Sequence, residues 1–327
     1  MKIGRLATQL CLSLAALTFG GTGAVAAQDF PNKPIRLVVP YPAGGTIDFL
    51  ARVIQPHLQD VWGQTVIIEN LGGASGMIGS SNVAKSRPDG YSLLLAGVQT
   101  HAMNAGVIPN MPYHSLDDFT PIAQITSVNW MVVANPSMGV KTPAEMVEAL
   151  RAKPDEYTYS SSGNGSGAHL TFLALLSELG LQTRHVPYKG AAAAIQDVMA
   201  GHVDLGLADQ QLLLAHIESG KLIPIAMTGK ERSPRLPDLP TLHETVLPGF
   251  EMKPWHVIYG PANMDPALVD RMAKDIAKAM SNPELIKRFQ DAGIDVTVKY
   301  GDELVAFTRA EYDRWVRTAR EANINPQ

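Results

Sequence analysis

Two short stretches carry residue types at a spacing suited to holding an anion. The first is Tyr41-Pro42-Ala43-Gly44-Gly45-Thr46-Ile47-Asp48, directly after the apolar run Leu37-Val38-Val39. The second is Ser161-Ser162-Gly163-Asn164-Gly165-Ser166, between a strand-like run at 157–160 and an apolar stretch at about 168–180 that contains His169. In each, a strand breaks through a glycine-rich turn into a helix. The first turn of a helix leaves N–H groups without internal partners, and its aligned peptide dipoles place partial positive charge there. A carboxylate or phosphate above Gly45-Thr46 or Gly165-Ser166 is therefore stabilised without any side-chain cation. The plainer role for the same residues is an ordinary strand-turn-helix link, with Thr46 or Ser166 as cap and Asp48 as a first-turn acid.

If the two junctions faced one another across a cleft, they would hold the two ends of a dianion. Charge-assisted hydrogen bonds contribute about 1.5–3 kcal/mol each and a well-placed dipole up to about 2 kcal/mol, so a handful reaches the approximately 8 kcal/mol of a micromolar complex. Tyr41 and Tyr188 would add an aromatic wall, or simply pack their loops.

Other chemistry has weaker support. Gly163, Gly165 and Ala168 match a dinucleotide-binding G-x-G-x-x-A, but Thr183 and Arg184 stand where an acid should hold the ribose. Neither Ser75 nor Ser166 has the spacing of a nucleophile elbow. His169 follows Ser166 by three residues on a helix start, which leaves an exported α/β hydrolase using Ser166 and His169 as the second reading, without an evident orienting acid. The 9 histidines show no metal-like spacing, so no metal site and no cofactor are expected.

The elements that must position these loops alternate between strand and helix. A helix from about Thr46 carries Ile47, Leu50, Ala51, Ile54, Leu58 and Val61 on one stripe, with Pro56 inside it, and a strand follows at 65–69. GGASGMIG at 72–79 opens another helix, and the strand at 92–96 runs out into a loop with Gln99, Thr100 and His101. Two strand-like runs lie back to back at 122–134 with no helix between them, which marks a crossover into a second domain. In that domain strands are expected at 157–160, 184–186, 203–208 and 222–228, with helices at 142–152, 191–200 and before Gly220, and Asp209 ends a strand. The segment 231–254 is the return connection, 255–260 resumes a strand, and helices at 266–281, 283–291 and 302–321 complete the chain. Trp130 and Trp255 fall at the two crossovers. This alternation predicts α/β domains with mostly parallel sheets flanked by helices.

Composition narrows the setting. Lys2 and Arg5 precede an apolar run and then small residues up to Ala26-Ala27, the layout of a secretory signal peptide over 1–27. The single cysteine, Cys11, lies within that run, so disulfides are not expected in the exported chain. Taking Lys2 and Arg5 from 27 basic residues against 31 acidic ones leaves a charge of −6, which argues against nucleic acid as a partner.

Five segments in order resemble the Bug family, the solute-binding proteins of tripartite tricarboxylate transporters. They are PIRLVVPYPAGGTIDFLAR, VIIENLGGASGMIGSSNVAKSRPDGYSLLLA, YSSSGNGSGAHL, HVPYKGAAAAIQDVMAGHVD and SGKLIPIAMTGKERSPRLPDLPTLHE. The resemblance implies a periplasmic, two-lobed binding protein of type II, a Venus flytrap without enzymatic activity. Such a protein captures a small organic carboxylate and passes it to membrane permease subunits, acting as a monomer. Lobe 1 would comprise 28–127 and 252–327, and lobe 2 would comprise 128–251. In that family the loops matching Tyr41 to Asp48 and Ser161 to Ser166 hold carboxylates through amides, hydroxyls and water. The resemblance adds Gln99 to His101 after the third strand, with Thr100 between them, and the strand-end Asp209; His169, Lys189 and Gly190 complete the expected ligand-binding residues. Leu71 stands where the family usually has arginine, the usual aromatic near Leu207 is absent, and Ala191 to Ala194 leave extra room.

Overall fold

The computed structural model describes residues 30–321. The expected signal peptide lies outside the described residues. Two sheets organise the chain, one of six strands in the order β11-β4-β10-β3-β1-β2 and one of five in the order β7-β6-β8-β5-β9. Helices flank both, giving a two-lobed α/β architecture.

The first sheet begins with β1 (Ile35–Val39), β2 (Val66–Asn70) and β3 (Ser92–Gly97), all mutually parallel and joined through α1 (Thr46–Trp62) and α2 (Met77–Ala84). Helix α1 forms because its apolar stripe is continuous: Leu50, Ala51, Val53, Ile54, Leu58 and Trp62 are buried. Each fully buried Leu or Ile side chain there contributes about 1.5–3 kcal/mol. Strand β4 (Phe119–Val128) completes the first passage, and after the single residue Asn129 the chain enters β5 (Trp130–Ala134) of the second sheet.

In the second sheet, α4 (Pro143–Ala152) starts with a full capping box between Thr142 and Glu145. It is followed by β6 (Thr158–Ser161), α5 (Gly167–Leu179), β7 (Arg184–Pro187), α6 (Ala191–Ala200), β8 (Leu205–Asp209), α7 (Gln210–Glu218) and β9 (Ile223–Met227). The chain then returns to the first sheet as β10 (Trp255–Pro261), which inserts between β3 and β4 and runs antiparallel to both. Helices α8 (Pro266–Met280) and α9 (Pro283–Asp291), strand β11 (Ile294–Lys299) and helix α10 (Gly301–Glu321) complete it.

Three expectations need correction. Parallel pairing is confined to β3-β1-β2 and β7-β6-β8; β4, β10 and β11, and likewise β5 and β9, pair antiparallel. Strands β5 and β10 enter from the other sheet with no crossover helix and run opposite to both of their neighbours, which accounts for the antiparallel pairs around them; β11 is added at the edge, antiparallel to β4. Strand β11 was not anticipated, although Ile294, Val296 and Val298 alternate with Asp295, Thr297 and Lys299 in the period-two pattern of an edge strand. Finally, the segment after β3 is a π-helical turn at Gln99–Met103 leading into α3 (Asn104–Val107), not an open loop.

Candidate functional site

The first glycine-rich loop is held from beneath by a buried carboxylate. Asp48 is 3% exposed and accepts hydrogen bonds from Gly44 N at 2.9 Å, Arg52 Nε at 2.9 Å and Asn70 Nδ2 at 3.0 Å. Asn70 Nδ2 also reaches the Tyr41 carbonyl at 3.1 Å. The Arg52 bond, ahead of the opposing effect of burial, keeps the Asp48 carboxyl below its usual range. Asp48 is thus a brace for the loop, its Oδ2 taken by Gly44 and Arg52 and its Oδ1 by Asn70.

That brace leaves the loop's upper surface open. Gly44, at φ +90, takes the left-handed turn, while Gly45 is in extended conformation and caps α1 through its backbone alone. Ala43, Gly44 and Gly45 are exposed. The first internal bond of α1 runs from Phe49 N to Gly45 O, so the N–H groups before it point out of the helix. Thr46 is not the cap. Its hydroxyl donates instead to Asp209 Oδ2 at the end of β8, at 2.9 Å. Burial raises the Asp209 pKa against the lowering effect of Thr46 and of Trp130, whose Nε1 donates to Oδ1 at 2.8 Å.

The second loop is built differently. Ser166 caps α5, its hydroxyl accepting from His169 N at 3.4 Å. His169 Nδ1 accepts from Gly165 N–H at 3.0 Å. Ser161 Oγ donates to Gly163 O at 2.9 Å, accepts from Gly163 N at 3.2 Å and lies 2.6 Å from His185 Nε2. Asn164 is exposed at the tip, and Gly165 is buried, at φ +71, where a Cβ would lie 3.1 Å from Val107 Cγ2. Gln99 Nε2 approaches Gly165 O at 3.5 Å. The two loops are therefore brought to the same interface: Thr46 meets the end of β8, and Gly165 meets Gln99 and Val107.

The remaining expected residues divide. Gly190 caps α6 next to the second loop, its N–H donating to Ser162 O at 3.3 Å, and Lys189 is exposed beside it. Tyr188 donates to Asp197 at 2.7 Å, and burial together with that carboxylate raises its phenol to about 12. Tyr41 packs near Gly76, and burial raises its pKa. Thr100 and His101 do not join the cleft. The π-helical turn rotates them inward, where Thr100 Oγ1 lies 2.9 Å from His101 Nδ1 and the imidazole stacks on Tyr259 at 4.0 Å. Burial depresses His101 to about 3, so it is neutral and has no role as a cation. Sequence reasoning missed Trp130 and His185 as site residues; only the strand register, with His185 beside Tyr159, places the latter under the loop.

The Ser166–His169 arrangement does not form a nucleophile and base. The only bond between them runs through the His169 backbone, and the ring's Nδ1 is occupied by Gly165.

A family model for the tripartite tricarboxylate transporter family receptor matches residues 50–324. BugT of Bordetella pertussis is 31% identical over 322 residues, covering 98% of each chain. The solved structure of the periplasmic binding protein BugD superposes with a TM-score of 0.77 at 30% identity, covering 91% of this chain and 100% of that one. The structure of Rpa4515 from R. palustris with adipate gives a TM-score of 0.81 at 31% identity, again covering 91% and 100%.

Proposed function

The chain belongs to the tripartite tricarboxylate transporter receptor family, and from that premise we propose that it captures a small organic carboxylate between its lobes and delivers it to permease subunits in the membrane. The family is one of periplasmic binding proteins; export by a cleaved signal peptide over 1–27 is part of the proposal. The observation that carries the reading is the meeting of two helix N-termini at one interface, joined by the Thr46–Asp209 bond on one side and the Gly165–Val107 contact on the other. Backbone amides at both ends suit a molecule with two anionic groups, and the relative Rpa4515 was solved with adipate, a dicarboxylate. A dicarboxylate or a tricarboxylate fits that description at both ends, and an aromatic acid would engage one of them.

The ligand-holding residues are Ala43 to Thr46 in one lobe and Ser161 to Ser166 with Lys189 and Gly190 in the other. Tyr41 and Tyr188 pack the loops, Asp48 braces the first of them, and Asp209 holds the lobes together. Lobe 1 comprises 28–127 with 252–327, and lobe 2 comprises 128–251; the change of sheet at Asn129, one residue after the end of β4 at Val128, and the return before β10 support a division near these points. The protein acts as a monomer, without cofactor and without turning its ligand over.

A thermal-shift screen of mono-, di- and tricarboxylates and aromatic acids, with adipate as the first probe, tests this directly. A ligand at 100 times its dissociation constant stabilises the fold by about 2.7 kcal/mol. No shift with any carboxylate at millimolar concentration, or turnover of p-nitrophenyl esters abolished by Ser166→Ala, would overturn it.

A further inference from the structure

Beneath the second loop, His169 and His185 lie face to face, their ring centroids 3.9 Å apart and their planes within 8°. Tyr159 stacks on His185 from the same column at 4.9 Å. Each imidazole bonds one end of the loop. His169 reaches it from the first turn of α5 and binds Gly165 N–H through Nδ1; His185 reaches it from β7 and binds the Ser161 hydroxyl through Nε2. Because an amide N–H can only donate, Nδ1 of His169 is bare and any ring proton is on Nε2. With the Ser161 proton given to Gly163 O, His185 donates from Nε2–H.

We propose that His169 and His185 are a positioning pair for the carboxylate loop, fixing its two ends in one geometry so that its other donors are aligned before ligand arrives. The inference rests on the binding role above and names the residues that prepare that site. Burial, the largest cause for both rings, depresses each pKa to about 4, and the neighbouring His169 adds to the effect on His185. Both rings are neutral wherever the loop must work. A proton on His169 Nδ1 would oppose the Gly165 N–H, and a second charge on the stacked ring would oppose the first. The fixed loop reduces the ordering that binding must otherwise impose.

The test separates hydrogen bonding from stacking. His169→Phe and His185→Phe keep an aromatic ring and lose the bond; His169→Asn and His185→Gln keep a polar atom near Nδ1 and Nε2, respectively, and lose the ring. Positioning predicts that both Phe variants weaken adipate binding at least ten-fold while the Asn and Gln variants stay within about three-fold of the parent. A purely structural stack predicts the reverse order, and that result would overturn the proposal. Hydrogen exchange of the Gly165 amide, measured without ligand, gives a second reading: it should accelerate in His169→Phe and not in His169→Asn. Unchanged exchange in His169→Phe sinks the pair even if adipate is not a ligand. Failure of the parent to bind adipate, with exchange behaving as stated, bears on the binding role alone.

Discussion

Thr46, the first residue of α1, donates its hydroxyl to the carboxylate of Asp209, the last residue of β8, across 2.9 Å and 163 positions of sequence. The bond joins a helix flanking one sheet to a strand of the other, and Asp209 takes a second hydrogen bond from Trp130 at the crossover. It therefore acts as a latch on the lobe arrangement seen here.

Removing that latch should loosen the liganded state. A hydrogen bond to a charged partner contributes about 1.5–3 kcal/mol, and Trp130 still serves Asp209, so Thr46→Val is expected to raise the dissociation constant about ten-fold. Thr46→Ser, which keeps the hydroxyl, should restore it. Calorimetric titration of both variants decides; parent-like affinity in Thr46→Val removes the latch from the bound state.

Side chains at the two loop glycines should not act alike. A Cβ at Gly45 meets only Pro42 O at 3.9 Å and Gly45 has an ordinary φ, so Gly45→Val is expected to fold normally and lose binding by obstructing the helix N-terminus. Gly165, at φ +71 and against Val107, cannot take valine without backbone strain, so Gly165→Val should lower the melting temperature as well as the affinity. Full affinity in a folded Gly45→Val protein would exclude the first loop from the site.

Affinity should stay flat from about pH 6 to 9, because the histidines at and behind the loops, His101, His169 and His185, are neutral there. Stability should not stay flat further down. The unfolded chain takes up protons on histidine below about pH 6.5, whereas burial holds His256 to about 4 and His101 to about 3 in the folded state. The contribution of these groups is complete above pH 6.5 and is lost as pH falls toward 4, at about 1.4 kcal/mol per pH unit for each. Urea midpoints at pH 7.0, 5.5 and 4.5 read the slope; His256→Asn should reduce it, and equal midpoints at pH 7.0 and 5.5 would contradict it.

Ligand-dependent fluorescence should come from Trp130. Its indole is half-buried, bonded to Asp209, and lies where a Cβ on Gly167 would stand, against the first residue of α5. Trp255 also falls at a crossover, yet it is 2% exposed, bonded to Glu311 at 2.7 Å and packed on Phe307, so it is a core anchor. Trp62 and Trp315 are buried side chains of α1 and α10. Titration of the Trp130→Phe variant with the best ligand of the screen should show almost no change in emission. A signal that persists there and vanishes in Trp255→Phe would place the moving contact at the other crossover.

Local pattern made much of this legible from the chain alone. The apolar stripe of α1, the Thr142 cap, and the two strand-glycine-helix junctions depend on neighbours within a few residues, and the change of sheet shows as two strand runs with no helix between them. The order of motifs was enough to indicate the family. What the sequence could not carry is direction and partnership. Asp48, read as a ligand contact, turns inward because Asn70 and Arg52 reach it, and Asn70 comes from the adjacent strand. His101, on what was expected to be a loop, is drawn into an aromatic cluster with Tyr259, a residue 158 positions away that arrives only when β10 returns from the other sheet. The role of His185 depends on the register of β7 beside β6. Hydrophobic periodicity fixes which face of an element is buried. It does not fix which distant element covers that face, and that pairing decides whether a polar side chain meets the cleft, its own loop or the core.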